Sequence, residues 1–162
     1  MVIILMGVSG SGKTSVGKQL SKQVGVPFFD ADDFHPQSNI DKMSNNMPLN
    51  DDDRTPWLEA LAMKIDEWQT TGGAILACSA LKESYRKILS SGDVPIFWVF
   101  LSGSFELIQQ RMKTRTNHYM KPELLQSQFD ALEIPDYGLQ IDIQSNINDI
   151  TNEIISKINT NA

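Results

Sequence analysis

The chain has 162 residues, 41% of them hydrophobic, and a formal net charge of −6. That length suits one domain with a single substantial core, and the acidic balance argues against a nucleic-acid protein, which would need a basic face. A lone cysteine, Cys78, excludes an intrachain disulfide and fits a reducing, cytoplasmic compartment. No apolar run approaches the roughly 18 residues that a membrane span needs, and no basic, cleavable leader precedes the first apolar run, so no membrane association is expected.

Val2–Met6 is an unbroken apolar run and is expected to be a buried strand. It runs into Gly7, Val8, Ser9, Gly10, Ser11, Gly12, Lys13 and Thr14, a full match to the phosphate-loop pattern G-x-x-x-x-G-K-[ST]. Val16, Leu20 and Val24 then recur at helical spacing, so the strand, loop and helix context that the pattern requires is complete. Glycines let successive backbone N–H groups turn onto phosphate oxygens, and the positive end of the following helix adds to their pull. In this arrangement Lys13 would reach the β- and γ-phosphates of a nucleoside triphosphate, and the Thr14 hydroxyl would sit on the accompanying Mg²⁺. A glycine-rich turn without a ligand is the structural alternative.

Gly25 is expected to end this first helix, and Pro27–Asp30 to form a short second strand. Asp30, Asp32, Asp33 and His35 follow at the carboxyl end of that strand, where open parallel sheets bind ligands. A short helix from His35 to Met43 and a loop through Pro48 lead to Asn50, Asp51, Asp52, Asp53 and Arg54. The aspartates suit a helix N-terminus, whereas the positive charge of Arg54 is unfavourable there. Trp57, Leu61, Ile65 and Trp68 make a helical core stripe.

Ala74–Cys78 reads as the next buried strand, with Cys78 as a small core residue and Ser79, Ala80, Leu81 and Lys82 as its turn. A helix carrying Tyr85, Arg86 and Leu89 follows, then an apolar strand from Ile96 to Leu101. Ser102–Ser104 caps a helix bearing Arg111, and positive charge gathers from Arg111 to Lys121. A helix from Pro122, a strand over Leu139–Ile143 and a closing amphipathic helix bearing Ile147, Ile150, Ile154 and Ile158 complete the chain. The alternation predicts a three-layer α/β/α fold around a mostly parallel sheet of about five strands.

A switch GTPase would need D-x-x-G and N-K-x-D, and neither occurs. Motor-type ATPases end the strand here formed by residues 74–78 with an acid, where Cys78 and Ser79 stand. Small-molecule kinases that carry the acid after the second strand remain, and Asp30 and Asp32 lie there.

Three stretches carry a resemblance: Asp30–Pro36, Pro48–Leu58 and Cys78–Arg86. With the phosphate loop, they resemble the signature segments of the thermoresistant-type gluconokinases, over nearly the whole chain. One departure is Asn117 before His118, where the family pattern has glycine. The resemblance implies a P-loop NTPase fold like that of nucleoside monophosphate kinases, a lid at about residues 111–121, and a homodimer. It also implies ATP-dependent phosphorylation of D-gluconate at its 6-hydroxyl.

Phosphoryl transfer is mostly positioning and charge stabilisation, and each part has a candidate. Asp32 would orient or deprotonate the hydroxyl, and Asp30 would support Mg²⁺ beside Thr14, although either could instead cap the next helix. His35 would bind sugar hydroxyls or play a structural role. Arg111 and Arg115, four apart on one helical face, would grip the γ-phosphate or lie near adenine, unless they form a solvated face. Arg54 and Arg86, with Ser79 and Lys82, would bind the acid end of the substrate; alternatively Arg54 pairs with Asp51 or Asp52. Two rivals stand beside this reading. One is a kinase of another small acid such as shikimate, for which a glycine-rich turn is expected in place of Ser79–Lys82. The other is a nucleotide-binding regulator without catalysis.

Overall fold

The computed structural model describes residues 1–114 and 122–160. Five strands, β1 (Val2–Met6), β2 (Phe28–Asp30), β3 (Ala74–Ala77), β4 (Ile96–Ser102) and β5 (Leu139–Asp142), form one sheet in the order β2-β3-β1-β4-β5. Every pairing is parallel, with Val2 opposite both Ala74 and Ile96. Parallel strands need crossovers, and helices supply them. These are α1 (Lys13–Val24), α2 (Gln37–Ser44), α3 (Asp51–Thr70), α4 (Glu83–Leu89), α5 (Phe105–Lys113), α6 (Pro122–Ala131) and α7 (Ile147–Thr160), with a 3₁₀ turn over Ala31–Phe34.

The central strand shows why there are three layers. Successive side chains of a strand point to opposite faces. Val2, Ile4 and Met6 enter a core with Trp57, Leu58, Leu61 and Ile65 of α3 and Leu89 of α4. Ile3 and Leu5 enter a second core on the other face, with Val16 and Leu20 of α1, Ile108 of α5 and Ile150 and Ile154 of α7. Both faces are covered, so β1 is buried at all five positions, as an apolar run without alternation predicts.

The helix boundaries follow their caps. Gly25 closes α1 with a positive φ of 76°. At the start of α3 the Asn50 side chain accepts from the Asp53 N–H, and Asp53 accepts from the Asn50 N–H, so a reciprocal capping box absorbs one of the three aspartates. Ser104 caps α5 through the Leu107 N–H. Pro36 lies just before the first residue of α2, so that helix starts later than its sequence suggests. Every strand ends on the same side of the sheet, which brings the loops after β1, β2 and β3 to one rim. No helix among the described residues is long and apolar enough to cross a membrane.

Candidate active site

The phosphate loop joins β1 to α1 and is held from within. The Gly7 N–H donates to the Ser79 carbonyl at 3.2 Å, linking the loop to the turn after β3. Lys13 Nζ donates to the carbonyls of Gly7 at 2.8 Å and Val8 at 3.0 Å, so its ammonium lies across the loop. Gly12 caps α1 at φ 97°, and Gly10 sits at φ 80° with Met112 so close that an added Cβ would lie 2.8 Å from its Cγ. Both positions require glycine. Burial pulls the Lys13 ammonium down to about 8, against the opposing charges of Cys78, Asp32 and Asp30. The buried Ser11 hydroxyl has no hydrogen-bond partner among the described residues, an unsatisfied group inside an anion-binding turn.

The rim after β2 carries the carboxylates. Asp30 Oδ1 accepts from the Asp32 N–H at 2.9 Å and caps the 3₁₀ turn. Asp32 projects beyond it; desolvation first, and the Asp30 charge second, raise its carboxyl above the ordinary range. Its carboxylate is also exposed, open to a hydroxyl donor. The His35 ring stacks on Trp57 at 4.2 Å, and its Nε2 lies 3.8 Å from Asp32 Oδ1. Asn39 Nδ2 sits 3.2 Å from His35 Nδ1 and donates to the Asp53 carbonyl at 2.9 Å. The second contact fixes the amide with its NH₂ toward the histidine, so Nδ1 accepts and Nε2 carries the proton facing Asp32. Burial lowers the His35 pKa, which keeps the ring neutral at pH 7.

The donors available to a metal are oxygens only. Thr14 is exposed in the first turn of α1, Asp30 and Asp32 are near enough to act on Lys13, and no group of three or more metal-ligating side chains occurs among the described residues. A hydroxyl and one or two carboxylates fit Mg²⁺, which keeps several waters and takes other ligands from phosphates.

A second cluster lies where α3 meets α4. Tyr85 donates to Asp51 Oδ1 at 2.6 Å, and its ring has Arg54 and Lys82 each 5.6 Å from its centroid. Arg54 Nη1 is 3.3 Å from the Tyr85 hydroxyl and 3.8 Å from Asp51, while Lys82 Nζ is 3.7 Å from Asp51. The Tyr85 hydrogen bond holds the Asp51 carboxyl below its usual value. Arg54 lies one helical turn before Trp57, on which His35 stacks, so this cluster borders the Asp32 rim. The pairing of Arg54 with Asp51 is therefore present, and two cations still flank one exposed carboxylate.

Arg86 differs from its expected place. It is 1% exposed, and its guanidinium donates to the Ala80 carbonyl at 2.7 Å, the Glu133 carbonyl at 2.8 Å and Glu83 Oε2 at 2.9 Å. One turn past Lys82 on a short helix, it points into the core rather than the crevice, and its donor fork is filled by protein acceptors. It braces a turn in which Ala80 adopts a φ of 45°, a left-handed conformation unusual for alanine.

Arg111 Nη2 donates to the Ile143 carbonyl at 2.5 Å. With Gly10–Gly12, Gln19 and Ser145–Asn148 it lines a cleft of about 630 Å³ beside the loop. Arg115 lies outside the described residues, as does most of the expected lid. Sequence reasoning missed the Ser145–Asn148 wall, Asn39, and the part played by Tyr85. Only Tyr85 had a signal, since it falls within the Cys78–Arg86 signature.

The family pattern of shikimate kinases matches residues 9–158. The thermosensitive gluconokinase of Escherichia coli (strain K12) is 44% identical over 157 residues, covering 93% of this chain and 83% of the relative. The chain belongs to the gluconokinase family. A probable gluconokinase of Xenopus tropicalis is 42% identical over 98% of this chain and 93% of the relative. The crystal structure of a gluconokinase from Sinorhizobium meliloti 1021 superposes with a TM-score of 0.84 at 41% identity, covering 94% of this chain and 87% of that one. The gluconokinase fold is thus a five-stranded parallel sheet between helices, with the phosphate loop at its rim.

Proposed function

We propose that this chain is an ATP-dependent gluconokinase that transfers the γ-phosphoryl group to the 6-hydroxyl of D-gluconate, giving 6-phospho-D-gluconate and ADP. The observation that supports the reading is the meeting, at one rim, of a phosphate loop, an exposed carboxylate and a separate pair of cations. A nucleotide site alone needs no such pair; a sugar acid presents a hydroxyl at one end and a carboxylate at the other. Family membership supports the same acceptor.

In this reading the loop N–H groups and Lys13 hold the β- and γ-phosphates. Thr14 and Asp30 would hold Mg²⁺, which would supply charge neutralisation at the phosphates, and ATP supplies the transferred group. Asp32 accepts the proton as the acceptor oxygen bonds to phosphorus, and neutral His35, with Nε2 3.8 Å from Asp32 Oδ1, lies beside it without a hydrogen bond. Arg54 and Lys82 bind the gluconate carboxylate, with Ser79 at the same turn. Arg86 acts by holding that turn in shape. Arg111, beside the 630 Å³ cleft, faces the nucleotide, and Arg115 is assigned with it to the transferring phosphate.

The chain is proposed to act as one kinase domain with a lid near residues 111–121, in the cytoplasm and as a homodimer. The buried, lone Cys78 supports a reducing compartment. An ADP-release assay over sugar acids and matched uncharged polyols tests the activity, and light scattering tests the dimer. Shikimate as the preferred acceptor would overturn the substrate assignment.

A further inference from the structure

Helix α6 reaches back across the molecule to the phosphate loop. Gln128 Oε1 accepts from the Ser9 N–H at 2.7 Å, and Gln128 Nε2 donates to Ser9 Oγ at 3.0 Å, joining residues 119 apart in sequence. The helix that carries this side chain is anchored on both sides of it. Leu125 is 1% exposed in the core, Phe129 packs edge-on against Phe105 at 5.8 Å, and beyond the helix the Glu133 N–H donates to the Leu81 carbonyl at 2.8 Å. Gln128 is therefore held by packing, and its amide meets the loop at a set distance and angle.

The loop divides its donors accordingly. The Ser9 N–H is bound to Gln128, and the Gly7 N–H to Ser79. Among the described residues no backbone carbonyl accepts from the N–H groups of Gly10, Gly12, Lys13 or Thr14. A turn whose free N–H groups must converge on an anion binds best when its remaining backbone is already fixed, because ordering on binding is then avoided.

We propose that Gln128 is a positioning residue for nucleotide binding: it fixes the first half of the phosphate loop at Ser9 so that the N–H groups of Gly10, Gly12, Lys13 and Thr14 face phosphate before ATP arrives, the Ser11 N–H being bound to the Val8 carbonyl. The proposal rests on the reading of this loop as the nucleotide site, and does not depend on which acid accepts the phosphoryl group. Gln128→Leu removes both bonds while keeping an apolar stem. Gln128→Glu keeps an acceptor for the Ser9 N–H, loses the donor to Ser9 Oγ, and sets a negative charge beside the loop.

The test is calorimetric titration of the full chain with Mg·ATP in the absence of any sugar acid, alongside thermal unfolding and the amide resonance of Ser9. Gln128→Leu should weaken ATP binding roughly tenfold, about the effect of one well-placed hydrogen bond. Its Ser9 amide should lose protection from exchange, while the melting temperature and the KM for the acceptor stay near wild type. Gln128→Glu should weaken ATP by more than Gln128→Leu, and added salt should recover part of the loss. Ser9→Ala keeps the backbone bond and should retain most of the affinity. Wild-type ATP affinity in Gln128→Leu overturns the proposal, as does a drop in melting temperature with unchanged affinity. If Gln128→Leu fails to fold, Gln128→Glu decides, and wild-type affinity there overturns it. Loss of ATP binding by no variant together with no ATP binding by the wild type would instead refute the nucleotide-site reading.

Discussion

Replacing Arg86 with methionine separates a structural brace from a substrate contact. Methionine fills a similar elongated space but leaves the Ala80 carbonyl without its 2.7 Å donor and the Glu133 carbonyl without its 2.8 Å donor. Glu83, which also accepts from Tyr137 at 2.7 Å, can recover hydration at the surface, so its loss is small. Ala80 cannot: it is 4% exposed, and a buried acceptor left unpaired costs about 1–3 kcal/mol. Adding the lost charge-assisted bond to Glu133 gives a destabilisation of about 3–5 kcal/mol. For a chain of this size that lowers the melting temperature by about 10 °C. Scanning calorimetry reads this directly, and steady-state kinetics at a temperature where the variant is folded should show gluconate and an uncharged polyol impaired alike. A melting temperature within about 2 °C of wild type, with a KM raised for gluconate alone, would instead place Arg86 against the substrate.

Arg54 should behave in the opposite way. Arg54→Ala leaves Asp51 paired with Tyr85 and Lys82, so stability should fall by about 1 kcal/mol or less, while kcat/KM for gluconate drops by about 2–4 kcal/mol and that for an uncharged polyol much less; equal losses would return Arg54 to a structural role. Asp32→Asn keeps shape and removes the proton acceptor, so turnover should fall by about 100-fold or more with ATP affinity nearly unchanged; a larger defect in Asp30→Asn, rescued by high Mg²⁺, would reverse the ranking of the two carboxylates. The pKa of Lys13 in the free protein, about 8, sets a pH limit on ATP binding. Phosphate binds the protonated form, so affinity should be full below pH 8 and weaken as pH rises through it; calorimetry from pH 6.5 to 9.5 checks this, and a flat profile would show that Lys13 keeps its charge throughout.

Most of the site was legible because its signals are local. The phosphate loop lies in eight consecutive residues, β1 is an apolar run needing burial on both faces, and Asp30 and Asp32 follow a strand whose direction the alternation of elements sets. Where a role depends on rotation about a helix axis, sequence spacing was insufficient. Arg86 shares a helix with Tyr85, yet only Tyr85 meets the cations, because α4 turns Arg86 onto the core. The three aspartates at 51–53 also divide: Asp53 closes the cap, and Asp51 serves the cationic cluster. Asn39 and Gln128 lay beyond reach for another reason. A polar residue on an amphipathic helix reads as solvated surface until a distant element is brought against it, and the bond from Gln128 to Ser9 exists only once the sheet is assembled.

The reaction proposed for this rim is phosphate transfer from ATP to the 6-hydroxyl of a sugar acid. Its most direct measurement is ADP release by the purified chain with D-gluconate, shikimate and uncharged polyols, with the product identified by phosphorus NMR and Lys13→Ala as the control. Mg²⁺-dependent turnover should be strongest on D-gluconate, with a phosphate monoester formed at C6 and activity lost in a folded Lys13→Ala. ATP bound without turnover on any acceptor, or turnover that ignores the acceptor's carboxylate, would rule this activity out.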